Sequence, residues 1–277
     1  MLAWLFAKRR EVVEEISDRR EHAELAVRPG YTEQPLSVVL NGQVPLRRIR
    51  SHTRLAASPP ACAGSRLSID SDISIDAQLA LSVGIMASEL GVRTIKARAP
   101  RGYNSIESLR LLRASSLRFD LSLVYEVESE EEGLEVAHWC DALELAVVKT
   151  PSNYFLKRLD ELQVGLSLCR ASQMTNISEI LHSLRRVFSG EVCVVERAPF
   201  DYSAVVRICS NTPVVVTLSS QTEEAIALSA IGAGAAGVEL SLGQCDELYL
   251  SARFNSYHSL LRKVAALQAT LRAIRHI

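Results

Sequence analysis

Residues 164–196, VGLSLCRASQMTNISEILHSLRRVFSGEVCVVE, decide how the chain reads. VGLSLC (164–169) and EVCVVE (191–196) are short apolar runs of strand length. Between them NISEILHSLRRVF opens on Asn176, a favoured N-cap type, and spaces its apolar residues with a helical period. A strand, a helix and a second strand in this order predict a parallel pair joined by a crossover helix. The second strand ends on two opposite charges, Glu196 and Arg197, set directly against the turn that follows.

Outward from this unit the same alternation repeats. Strands are expected at RLSID (66–70), RTIKA (93–97), FDLSLVYEV (119–127), ALELAVV (142–148), PVVVTL (213–218) and GVELSL (237–242), which makes eight in all. Helix-period runs separate them: IDAQLALSVGIMASELG, SIESLRLLRAS, SEEEGLEVAHW, SNYFLKRLDEL, DYSAVVRIC and TEEAIALSAIGAG, with a long last helix over about 246–274. Eight such units over residues 66–277 predict an α/β fold, a TIM (β/α)8 barrel. A doubly wound sheet is the alternative, but DSDISID follows the first strand where a G-x-G-x-x-G turn would stand. Residues 1–65 have a different texture, a charged helix-like segment and then loops broken by Pro59, Pro60 and Gly64, and read as an N-terminal appendage and linker.

The chain has 277 residues, 48% hydrophobic and 23% charged, with a net charge of −1. Such a balance gives no field to hold it on nucleic acid or an anionic membrane, so any positive site is local. Six cysteines without CxxC spacing fit a reducing cytoplasm. MLAWLFA is followed by KRR, the reverse of a signal peptide's charge order, and no run approaches a membrane span. The expectation is a soluble, cytoplasmic protein.

Barrel chemistry sits at the C-terminal ends of the strands. Collected there are Asp70, Ser71 and Asp72; Lys96, Arg98 and Arg101; Glu126; Lys149; Arg170; Glu196 and Arg197; Ser219 and Ser220; and Glu239 with Ser241. Six cations drawn from four strands suit a phosphorylated or carboxylated ligand, because a desolvated anion needs paired charge.

The order of motifs resembles the DAHP synthase family, barrels that condense phosphoenolpyruvate with a phosphorylated aldose, and the related deoxy-octulosonate phosphate synthases. VPLRRIRSHTRLAA resembles the lead-in of the short bacterial type. YEVESEEEGLEVAHWCDALEL is similar to the family's TEVMDPEDVELVAEYADILQI, ALELAVVKTPSNYFLKRL to the stretch around IGARNMQNFELL, and VCVVERA to VILCERG. PVVVTLSSQ resembles PVIVDPSHG, and SAIGAGAAGVELSL resembles AAIAAGADGLMVEVH. The likeness spans about residues 45–245.

This resemblance implies roles. Arg197 falls on the ERG arginine that binds the phosphate of phosphoenolpyruvate, with Glu196 before it. Lys96 falls on the LRGG arginine and Lys149 on the GAR arginine, each keeping charge without the guanidinium fork. Arg101 falls on the arginine of KPRTSP, which helps hold the aldose phosphate, with Arg98 as a second candidate; Arg170 keeps the arginine of KRG. The implied reaction is condensation of phosphoenolpyruvate with erythrose 4-phosphate, giving 3-deoxy-7-phosphoheptulonate at the entry to aromatic biosynthesis. Related barrels imply a homo-oligomer.

Other motif positions are lost. The lysine of KPRTSP has no counterpart before Ala99 and Pro100, and Lys96 becomes the candidate for its catalytic part. The KRG lysine is Cys169, the AGPCS cysteine falls near Ser71, the PSHG histidine is Ser220, and the MVEVH glutamate is Ser241. A manganese or magnesium ion on oxygen ligands would draw on Asp70, Asp72 and Glu239, with Asp246 as a further candidate.

Blander readings stand beside these. A strand-end Glu–Arg pair is commonly a structural ion pair, Lys96, Lys149 and Arg101 could be solvated rim charges, and Asp70 and Asp72 suit helix capping. Glu130, Glu131 and Glu132 suit the acidic first turn of a helix, GAGAAG (232–237) is a helix-to-strand turn, and no histidine has a strand-end position. The expectation is therefore double: a condensing enzyme, or a non-catalytic barrel that binds a phosphorylated ligand or a protein partner.

Overall fold

The computed structural model describes residues 64–69, 75–98, 105–146, 150–169, 177–197, 208, 212–218, 224–242 and 247–275. Its strands are β1 (Arg66–Ile69), β2 (Thr94–Arg98), β3 (Ser122–Val127), β4 (Ala142–Leu145), β5 (Gly165–Cys169), β6 (Val192–Arg197), β7 (Val214–Leu218) and β8 (Gly237–Ser241). Each pairs in parallel with the next and β8 pairs with β1, closing a barrel. Followed once around from Arg66, the register returns to β1 displaced by eight residues, the shear of a (β/α)8 barrel.

The helices among the described residues are α1 (Ala77–Glu89), α2 (Ser105–Arg118), α3 (Glu130–Val136), α4 (Asn153–Leu162), α5 (Ile177–Val187), α6 (Glu224–Gly232) and α7 (Glu247–Arg275). All of the DYSAVVRIC segment except Ile208, and all of residues 1–65 except Gly64 and Ser65, lie outside the described residues. No described helix is long and apolar enough to cross a membrane.

Local chemistry sets the boundaries. Asp76 caps α1 by accepting Leu79 N–H at 2.7 Å, so the capping considered for Asp70 and Asp72 belongs to Asp76. Ser129 caps α3 and Ser152 caps α4 in the same way. The third strand starts at Ser122 and not at Phe119, because Asp120 takes a left-handed φ of 53° that ends the α2 turn. Gly237 admits no side chain: a Cβ there would lie 2.1 Å from the Gly64 carbonyl carbon, where the chain enters β1 beside β8.

Strand residues alternate between two environments. Leu67, Ile69, Ile95, Ala97, Leu123, Tyr125, Leu143, Leu145, Leu166, Leu168, Val192, Val194, Val214, Val216, Val238 and Leu240 belong to the outer core that meets the helices. The residues between them face the barrel interior, where the apolar content is Val215 and a small cluster of Val124, Ala142, Cys169, Cys193 and Val195. The rest of the interior is polar, and this places the site.

Candidate functional site

Five charged side chains fill the middle of the barrel, each no more than 3% exposed: Arg66, Lys96, Glu126, Glu144 and Glu239. They come from β1, β2, β3, β4 and β8, all on the inward parity of their strands. Lys96 Nζ lies 2.5 Å from Glu144 Oε1, 2.7 Å from Glu126 Oε2 and 3.2 Å from Glu239 Oε1. Its ammonium donates to Glu144 and Glu239, and Glu126 completes the group as an ion pair. Arg66 Nε donates to Glu239 Oε2 at 2.5 Å, and its Nη2 donates to Glu144 Oε2.

Burial alone would disfavour every charge in this group. For Glu144 burial pushes the carboxyl up, but Arg66 and Lys96 outweigh it and hold the group at about 2. For Lys96 and Arg66 burial works against the cation, and Glu144 and Glu239 outweigh it and raise both above their ordinary ranges. The cage thus favours the ammonium form of Lys96. Cys169 donates from Sγ to Glu144 Oε1 at 2.9 Å, and burial together with the Glu144 charge pushes its thiol up, away from the reactive thiolate.

Above this cage, at the C-terminal ends of β2 and β6, two guanidiniums approach one carboxylate oxygen. Arg98 Nε lies 3.6 Å and Arg197 Nη2 3.5 Å from Glu126 Oε1. Their side chains are 31% and 39% exposed, whereas Glu126 is buried. Arg98 also donates to Glu128 Oε1 at 2.8 Å. Both Glu126 contacts are longer than a hydrogen bond, and three buried polar atoms here have no hydrogen-bond partner: Glu126 Oε1, Arg197 Nε and Thr217 Oγ1. Thr217 pairs with Arg197 in register and shares its inward face. Buried polar atoms are normally satisfied, so this rim has capacity for a polar ligand.

Glu196 and Arg197 are not a pair. Alternation along β6 sends Arg197 inward with Cys193 and Val195, and Glu196 outward with Val192 and Val194. The carboxylate near Arg197 is Glu126, from the opposite side of the barrel. Of the other expected site residues, Lys96, Arg98 and Glu239 gather on the inner face, whereas Arg101, Lys149, Arg170, Asp70 and Asp72 lie outside the described residues. Arg66 and Glu144 were not among the expected site residues. Their signal is a charge at the inward parity of an otherwise apolar strand, in RLSI and ALEL.

The divalent metal implied by the resemblance does not fit Glu239 as it stands. Both of its oxygens face buried cations, Arg66 and Lys96, which a metal would have to displace. Among the described residues no three His, Cys, Asp or Glu side chains are arranged to hold a metal ion, and Lys96 Nζ fills the space between the acidic ones.

No family model and no curated protein matches this sequence. Solved structures do resemble the barrel. A truncated 3-deoxy-D-arabino-heptulosonate 7-phosphate synthase from Thermotoga maritima superposes with a TM-score of 0.60 at 17% identity, covering 75% of this chain and 87% of that one. A phospho-2-dehydro-3-deoxyheptonate aldolase (DAHP synthase) from the same organism gives 0.62 at 16% identity, covering 79% and 73%. At this distance the likeness is one of fold: the chain is a (β/α)8 barrel of DAHP synthase-like architecture.

Proposed function

We propose that the mouth of this barrel binds phosphoenolpyruvate, a small phosphorylated carboxylate, with Arg197 on the phosphate and Arg98 beside it. The observation that carries this reading is the rim itself: two half-buried guanidiniums on long contacts to Glu126, with Arg197 Nε and Thr217 Oγ1 still unpartnered. A phosphate would take charge-assisted bonds from a guanidinium that its present carboxylate contact leaves unmade. Arg101, Lys149 and Arg170 are proposed to complete the anion site.

Binding is favoured over condensation, because the Lys96 ammonium is enclosed by Glu126, Glu144 and Glu239 and its charge is engaged by these carboxylates. Aldol-type condensation with erythrose 4-phosphate is the second reading, favoured by the DAHP synthase structures that share the fold. Calorimetric titration with phosphoenolpyruvate, with and without manganese, followed by a product assay with erythrose 4-phosphate, separates them. Saturable binding without product supports the first reading; product formation establishes the second; no heat of binding removes both.

A further inference from the structure

The unpartnered atoms at the barrel mouth are not all donors. Arg197 Nε offers a proton and Thr217 Oγ1 can give or take one, but Glu126 Oε1 is a carboxylate oxygen and only accepts. The Glu126 side chain is 3% exposed, and its other oxygen, Oε2, is engaged by Lys96 at 2.7 Å. Oε1 has charge contacts with Arg98 Nε and Arg197 Nη2 at 3.6 and 3.5 Å but no hydrogen bond. Arg98 also stands 2.8 Å from Glu128 Oε1, so a ligand seated on Arg197 meets rim carboxylates as well as cations.

Phosphoenolpyruvate carries a phosphate and a carboxylate and no hydroxyl, so it sets acceptor against acceptor at Glu126 Oε1. A buried acceptor in that position is disfavoured, whereas a hydroxyl there donates a charge-assisted hydrogen bond. The 3.5 Å between Arg197 Nη2 and Glu126 Oε1 places donor and acceptor side by side, within reach of an anionic group and a hydroxyl on one small molecule. We infer that Glu126 determines the specificity of the rim by accepting through Oε1 from a ligand hydroxyl, so that the preferred class is a phosphorylated hydroxycarboxylate. This rests on the reading that Arg197 holds a phosphate at the mouth. Lys96 holds Oε2, and the cage thereby fixes the direction of the accepting oxygen.

The test compares phosphoenolpyruvate with 2-phosphoglycerate, which has the same phosphate and carboxylate and adds a hydroxyl on the third carbon. Calorimetric titration of the full wild-type chain should give at least ~tenfold tighter binding of 2-phosphoglycerate, as for one hydrogen bond to a charged group. Glu126→Gln keeps the shape and an oxygen for Lys96 but drops the charge. Phosphoenolpyruvate should bind this variant at least ~threefold more tightly than wild type, and the preference should narrow, a gain that damage to the fold does not produce. If the variant does not fold, the wild-type ratio decides. Equal affinity of wild type for the two ligands, as when a water occupies Oε1, would overturn the inference and leave the anion site standing. A folded Glu126→Gln that weakens both ligands alike would overturn it too. Binding of neither ligand would remove the anion site and the inference together.

Discussion

Arg113 and Asp141 meet behind the sheet, while Arg66, Lys96, Glu126, Glu144 and Glu239 meet inside it. The first group is one cation and one anion: Arg113 Nη1 and Nη2 reach Asp141 at 2.6 and 3.3 Å, and Asp141 also accepts the Leu123 N–H at 2.9 Å. This fork fastens α2 to the β3–β4 edge, and its charge is used up locally. The second group has three acids and two bases, so part of the demand of Glu126 is passed up to Arg98 and Arg197 at the rim. A closed pair holds elements together. An unbalanced cage does so too, and also sets where partly exposed cations stand.

The largest test of that contrast is Lys96→Met. Removing the shared cation leaves carboxylates buried with only Arg66, and urea unfolding should show a loss of about 3–5 kcal/mol. A loss below about 1 kcal/mol would mean that water, and not Lys96, solvates the cage.

Arg113→Met should cost less, about 2–3 kcal/mol, because Asp141 keeps the Leu123 N–H. Combined with Lys96→Met the losses should add, since the two groups share no partner. Clear non-additivity would make them one network.

Acid should strain the cage next. The Glu144 carboxyl is held at about 2 against 4.5 for the ordinary group, so its contribution is present above pH 4.5 and is lost as pH falls towards 2. Over that window Glu144→Gln should flatten the slope of stability against pH by up to about 1.4 kcal/mol per unit. An unchanged slope would place the acid sensitivity elsewhere.

The smallest stability effect is expected at the rim. Arg197→Ala removes a 39% exposed side chain with a 3.5 Å contact, and should change unfolding free energy by less than about 1 kcal/mol. A larger loss would make Arg197 part of the cage.

The eight strands were legible because each carries an apolar outer face every second residue and a helix of matching period follows. The cage was legible only in part. Lys96, Glu126 and Glu239 were collected as strand-end residues, yet nothing local says that Arg66 and Glu239, 173 positions apart, form one ion pair. That contact depends on barrel closure between β1 and β8, and so on register around all eight strands. The strand-end pair Glu196 and Arg197 shows the opposite limit: the two are adjacent in sequence, but a period of two sends them to different layers. Glu144 was hidden for the same reason, standing between Leu143 and Leu145 in a strand that reads as apolar.

The most direct test of the central claim, that the cage leaves Arg197 at the rim for an anionic ligand, is the affinity of Arg197→Ala for phosphoenolpyruvate measured beside wild type by calorimetry. The expected result is binding by wild type and at least ~tenfold weaker binding by the variant, as for loss of a charge-assisted contact, with melting unchanged. Equal affinity in the two proteins would contradict it.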